Sequence, residues 1–254
     1  MKVVEAPNPH PGAGYYLEAF EKQWTGRTRL IAFSHVTNTV GDVLPAKELC
    51  RLARERGALS LVDGAQSFGV LDVDLGDLGP DFYTGSAHKW PCGPKETGLL
   101  YVQRRVHSRI WPTIYSAYPG AVGISATFEG FGQRDEPAIV GFGEALKLAM
   151  TIGQGAIEAR ARALTQALME GLRRLDGATL WTHPDPARSS TIVAFKPAGE
   201  DPKKLGALLF EEEGIIGAVR DGADRGGLRF CPHFYNTRSE IDRTIAAVQR
   251  RLRR

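Results

Sequence analysis

The chain has 254 residues, 43% hydrophobic and 24% charged, the composition of an ordinary globular protein with room for one or two domains and a sizeable core. With 32 Lys and Arg against 29 Asp and Glu the formal net charge is only +3, a balanced surface that does not point to nucleic acid. Three widely spaced cysteines without a C-x-x-C pair argue against a structural metal and suit a reducing compartment. No apolar run approaches the length of a membrane span, and the N-terminal residues lack the hydrophobic core of a secretion signal, so a cytoplasmic location is expected.

In chain order, KVVEAP reads as a strand entering a loop, and the chain is expected to start there with no leading helix. The GAG ending at Gly14 lacks the further glycine and the strand-to-helix context of a dinucleotide fingerprint. Short apolar runs then alternate with helical patterns: RLIAFSH, PAKELCRLARERG, ALSLVDG, DFYTGSA and TGLLYVQ, the signature of an α/β sheet. In the helical run among them Pro45 suits the opening turn, Leu49, Leu52 and Ala53 share a face, and Gly57 supplies the stop. From Asp135 two long helical patterns follow, PAIVGFGEALKLAMTIGQ and GAIEARARALTQALMEGLRRL, broken at Gly153 and Gly155. A boundary there divides the chain into domains 1–152 and 153–254. Beyond Gly177, ATLWTH, STIVAFK, IIGAVR and GLRFCP read as strands around the helix DPKKLGALLFEEEG and a terminal helix, a small α+β domain. The terminal RRLRR can complement the negative end of that last helix's dipole.

The stretch GSAHKWPCGPK, residues 85–95, cannot be a helix interior, because Pro91 and Pro94 remove backbone donors and the glycines favour turns. Lys89 therefore sits on a loop. Ligands of an open α/β sheet bind beyond the carboxyl ends of the strands. Three strand ends here carry polar residues: Ser34, His35 and Asn38 in SHVTN, Asp63 and Gln66 in LVDGAQ, and Ser86, His88 and Lys89 in TGSAHK. Asp63 closes an apolar strand, where a carboxylate is expected to be desolvated and to need a cationic partner. Lys89 in a buried ion pair is one such partner; a ligand is another. Pyridoxal phosphate needs this set of groups: a lysine for the Schiff base, an acid on the pyridinium nitrogen and donors for the phosphate. His35 reads as a structural histidine and Trp90 as a packing residue beneath the loop.

The segments SHVTNTVGDVLPAKEL, LVDGAQSFGVLDVDLGDLGPDFYTGSAHKWPCGPKETGLLYV and LRFCPHFYNT resemble the class V aminotransferases of fold type I, especially the branch with cysteine desulfurases and isopenicillin N epimerase-like proteins. The resemblance runs from about Thr28 to the C-terminus. It implies a pyridoxal-phosphate enzyme in which Lys89 forms the Schiff base and shuttles the proton at the substrate's α-carbon. It further implies Asp63 on the pyridine nitrogen, Gln66 on the phenolic oxygen, and Ser86 and His88 on the phosphate. Asn38 would lie near the cofactor oxygen and the substrate carboxylate, and Arg229 would bind that carboxylate. GFGQRD, around Gln133 and Arg134, resembles a loop that reaches a dimer mate's phosphate site, with a plain surface turn as the alternative. Family members carry a long segment ahead of the matched region, with a phosphate-binding helix N-terminus and a ring stacked on the pyridine. The expectation is thus an incomplete large domain followed by a small one, completed by a homodimer mate or a partner chain.

Desulfurases of the family carry a mobile cysteine ahead of the carboxylate-binding arginine, and AVRDGADRGGLRF has none before Arg229. Alternation makes Cys231 a core thiol, and Cys92 lies on a loop pinned by glycine and proline. The remaining outcomes at an amino acid's α-carbon are epimerisation, β-elimination including C–S cleavage, and transamination. The alternative is a truncated, catalytically incompetent remnant or one subunit of a split enzyme.

Overall fold

The computed structural model describes residues 1–114, 123–130, 132–220 and 225–252. In the first half, α1 (Ala13–Gln23), β1 (Leu30–Ser34), α2 (Ala46–Glu55), β2 (Leu59–Asp63), α3 (Leu75–Leu78), β3 (Phe82–Ser86) and β4 (Gly98–Val102) follow in order. Strands β1, β2 and β3 are parallel, and β4 returns antiparallel along β3. Every second residue faces the helices: Ile31, Phe33, Val62 and Tyr83 form a core with Leu49, Cys50 and Ala53 of α2 and Tyr16 of α1. The opposite face carries Leu30, Ala32, Leu61, Asp63, Phe82, Thr84, Ser86 and Leu100 by the same alternation. Leu30 and Leu100 there are each 49% exposed, so helices cover this sheet on one side only among the described residues.

The N-terminal residues depart from expectation twice. KVVEAP forms no strand, because no neighbouring strand takes its backbone groups; the Ala6 carbonyl instead accepts from Arg225, and His10 Nε2 donates to the Val43 carbonyl at 3.0 Å. A helix that the sequence did not announce, α1, follows, in which Tyr16, Leu17 and Phe20 turn one face into the core. Two glycines and a pair of adjacent tyrosines at its start mask that helical spacing.

The second half holds α4 (Gly123–Phe128), α5 (Glu136–Ile152), α6 (Gln154–Arg173), β5 (Ala178–Leu180), β6 (Val193–Pro197), α7 (Pro202–Glu213), β7 (Ala218–Arg220), β8 (Gly227–Phe230) and α8 (Arg238–Leu252). Gly153, at φ +92°, separates the two long helices. The strands form an antiparallel sheet in the order β5-β6-β8-β7. Val193, Phe195, Leu228 and Phe230 point from it into a core built with α6, α7 and α8. The basic end of α8 is tied to the acidic end of α7, Arg250 to Glu213 at 2.5 Å and Arg251 to Glu212. Arg253 and Arg254 of the RRLRR run lie outside the described residues.

The halves meet where the chain between β1 and α2 runs against the segment before β6. Val43 N donates to the Arg188 carbonyl, Ser190 N to Gly41 O, and Thr182 Oγ1 to Val40 O at 2.8 Å. Val36, Val70, Trp90, Ala161 and Ile192 fill the space beneath. No helix among the described residues is long and apolar enough to cross a membrane.

Asp42 lies in this seam with 0% exposure, and neither carboxylate oxygen finds a hydrogen-bond partner among the described residues. Burial pushes its pKa up, with the charges of His10 and Arg225 opposing. The folded state therefore binds its proton more tightly than the unfolded chain does. Stability should fall as pH rises from the ordinary carboxylate range through the raised value. Asp42→Asn, which keeps the shape and removes the charge, should stabilise the fold by about 1–2 kcal/mol at neutral pH and remove that part of the slope. Urea unfolding at a series of pH values measures both effects.

Candidate active site

The carboxyl ends of β2 and β3 converge on a turn-rich loop that carries Lys89. Gly64, straight after β2, is forced by a close approach: a Cβ there would lie 2.0 Å from Tyr83 Cζ and 2.6 Å from the Thr84 carbonyl. The D-G-A-Q turn can thus press onto β3 only with glycine in second place, which sets Asp63 and Gln66 beside the Lys89 loop. That loop is closed by Ala87 N to Thr97 O and Gly93 N to Ala87 O. Trp90 anchors it from below, 4% exposed, with its indole Nε1 donating to Gln66 Oε1 at 3.1 Å.

Asp63 corrects one expectation. Its side chain is exposed, on the sheet face that no helix covers among the described residues, and Oδ1 accepts from Ala65 N at 2.9 Å. The alternation that buries Ser60 and Val62 turns Leu61 and Asp63 outward, so an apolar strand did not mean a desolvated end. No Asp63–Lys89 ion pair forms among the described residues, which removes the reading of these two as a structural pair. Ser86 lies on the same open face at the end of β3. Among the described residues, the side chains of Asn38, Ser86, His88 and Lys89 carry no hydrogen bond or salt bridge.

His35 behaves as a structural residue. It is buried, Nδ1 lies 3.1 Å from Ser67 Oγ, and burial lowers its pKa to about 4, so the ring is neutral. Of the GFGQRD segment, Phe131 lies outside the described residues and Gln133 and Arg134 are in an irregular stretch ahead of α5.

The other wall comes from the second sheet. In β8, Leu228 and Phe230 enter the core, which turns Arg229 to the opposite face, toward the first half. Its Nη1 donates to the Asn38 carbonyl at 2.5 Å, bringing the two expected substrate-binding residues together. Arg220, which the sequence reading did not single out, joins them: its Nη2 donates to the same oxygen at 3.3 Å. The signal was present as alternation in AVR, one residue beyond an inward Val219, but it needs the β7–β8 register to be read. Cys231 corrects the expected core thiol. It follows the end of β8 on the Arg229 side and is exposed.

Beneath the loop, His233 is buried and stacks on Trp90 at 5.3 Å between ring centroids and on Tyr235 at 4.1 Å. Its Nε2 lies 3.7 Å from the Cys92 thiol. Burial lowers the pKa of His233, so a neutral ring links the lysine loop to the segment after β8.

These features coincide with a known family. Residues 2–244 match the model for Aminotransferase class-V, and the chain belongs to that family. It is 38% identical over 238 residues to an isopenicillin N epimerase from Streptomyces clavuligerus, covering 87% of this chain and 60% of that protein. The apo cysteine desulfurase of Thermococcus onnurineus NA1 superposes with a TM-score of 0.83 at 25% identity, over 93% of this chain and 63% of that one. A C-DES variant with glycine covalently linked to its pyridoxal phosphate superposes at 0.79, also at 25% identity, over 91% and 63%. The fold is that of the fold type I enzymes. The chain spans about 60% of the length of the relatives it matches.

The Trp90–His233 stack should be energetically real. A double-mutant cycle with Trp90→Ala and His233→Ala, read by urea unfolding, should give a coupling of about 0.5–1.5 kcal/mol between two residues in opposite halves.

Proposed function

We propose that these residues form the lysine-bearing part of a pyridoxal-phosphate enzyme that acts at the α-carbon of an amino acid, by epimerisation, β-elimination including C–S cleavage, or transamination. The observation that carries the reading is the juxtaposition at the ends of β2 and β3 of an uncommitted amine, a carboxylate and an amide, opposite an arginine from the other half. The family membership and the cofactor named for the C-DES variant support the choice of group.

The residues fit it. Pyridoxal phosphate supplies the electron sink that makes an amino acid's α-proton acidic. Lys89 would hold the cofactor through its amine and, once released, move the proton at the α-carbon. Asp63 presents a carboxylate suited to keeping the pyridine nitrogen protonated. An indole N–H can only donate, so Trp90 must meet the amide oxygen of Gln66, which leaves the amide N–H groups for the phenolic oxygen. Ser86 and His88 are the phosphate donors, and Arg229 with Asn38 receives the substrate carboxylate. Residues 1–152 are the cofactor domain and 153–254 the small domain in this reading.

Neither cysteine near the site is set up as a nucleophile. Desolvation raises both thiols, that of Cys231 against the charges of Arg229 and Arg220 and a hydrogen bond with Arg229. Both therefore stay protonated at neutral pH, which favours chemistry performed by the lysine alone over transfer of sulfur to a thiolate.

A second reading is favoured by the open sheet face, which is apolar at Leu30, Leu61, Phe82 and Leu100. Parallel strands are normally covered on both sides. Together with the 60% span, this supports a partial enzyme whose cover comes from further polypeptide, either in the same chain, in a homodimer mate or in a partner.

Incubation with pyridoxal phosphate, borohydride reduction and peptide mapping should place the label on Lys89, and Lys89→Ala should lose it. Label spread over other lysines, or unchanged in the variant, would overturn the assignment. In the form of the protein that turns over amino acids, Arg229→Ala should weaken the substrate about ten- to a hundredfold while cofactor content holds. Spectral titration with amino acid separates the two.

A further inference from the structure

Arg220 and Arg229 are diagonal neighbours on one face of the small sheet, since β7 pairs Ala218 with Arg229 and Arg220 with Gly227. Side chains so placed come within reach of each other. Both guanidinium groups turn onto a single neutral acceptor, the Asn38 carbonyl, at 3.3 and 2.5 Å. The Nε of each is buried without a hydrogen-bond partner among the described residues. Nor does any described Asp or Glu form a salt bridge with either. Two like charges at this separation repel, and a guanidinium cannot relieve the repulsion by losing its proton. Desolvation and the charge of Arg229 both work against the charged form of Arg220.

One carboxylate satisfies one planar fork. A second fork beside it, with its Nε also unpartnered among the described residues, offers a place for a second anionic group on the same ligand. We propose that Arg220 determines specificity for substrates with two carboxylates, Arg229 taking the one on the reacting carbon and Arg220 the one at the far end of the side chain. This rests on the assignment of Arg229 above and names the substrate class: acidic amino acids, or amino acids whose side chain ends in a carboxylate. Cys231 is exposed and lies near enough to both arginines to feel their charges.

The test uses binding rather than turnover. Succinate, glutarate and adipate are titrated calorimetrically into the full chain, beside butyrate, valerate and hexanoate. At least one diacid should bind about tenfold or more tighter than a monoacid of the same carbon number, the worth of one charged hydrogen-bonded pair. Arg220→Gln should reduce that preference to about twofold or less while monoacid affinity holds, and Arg220→Lys, which keeps the charge without the fork, should fall between. Arg51→Gln, which removes an exposed charge from α2, should keep the full preference. Equal binding of diacids and monoacids, no diacid binding at millimolar concentration, or a preference that survives Arg220→Gln would each overturn the proposal. The Lys89 labelling experiment is independent of these titrations. Labelled Lys89 without a diacid preference refutes the role of Arg220 alone, and a diacid preference without labelling refutes the cofactor reading alone.

Discussion

Between Val36 and Leu44 the chain leaves the first sheet and is gripped by the second half through backbone bonds at Gly41, Val43 and Val40. Gly41 makes this possible. It has φ +81°, and a Cβ there would lie 2.9 Å from both Ile192 Cβ and the Ile192 carbonyl. A side chain at that position would hold the segments apart. The consequence reaches the chemistry, because Asn38 sits in the gripped segment and its carbonyl is where Arg220 and Arg229 converge. The seam thus holds the lysine loop and the arginine face against each other. His233 on Trp90 is the second tie between the same two surfaces.

Within each sheet the period of two decides what is core and what is site. Val62 and Tyr83 enter the helix-covered core, while Asp63 and Ser86, one and three residues further along, point to the open face. On the small sheet Leu228 and Phe230 bury themselves and thereby aim Arg229 away. A one-residue slip in either sheet would bury a charge and expose an aromatic or aliphatic side chain, which couples the site's geometry to the stability of the fold. The polar residues need no special device to stay outside; the apolar neighbours hold them there.

Alternating strands and helices, the break at Gly153 and the position of Lys89 on a loop were legible because each is written locally, in periodicity and in glycine and proline. The helix α1 was not, because two glycines and a pair of adjacent tyrosines at its start mask the spacing of its apolar face. The exposure of Asp63 and of Cys231 was misread for a common reason. An apolar strand reveals which residues alternate, but which face is covered depends on helices that pack from elsewhere in the chain. Arg220 is the clearest case: nothing in AVRDG marks it until β7 is laid beside β8. Gln66 was placed by resemblance to a family, yet the orientation of its amide follows only from the indole of Trp90.

Among the described buried polar groups without hydrogen-bond partners, Asp42 and the Arg220–Arg229 pair are separated by their chemistry. Asp42 is enclosed, and a carboxyl group in that position has an exit: it takes up a proton, becomes neutral, and the cost of burial falls. The seam can keep such a group without any ligand. Arg220 and Arg229 have no such exit, since a guanidinium stays charged at any pH the fold survives. Their Nε groups are buried without a hydrogen-bond partner among the described residues. Repulsion between them persists until an anion sits against both forks. That difference is why the arginine pair, and not the more deeply buried aspartate, marks where a ligand's charge belongs, and it makes two anionic groups on that ligand the arrangement that neutralises the pair.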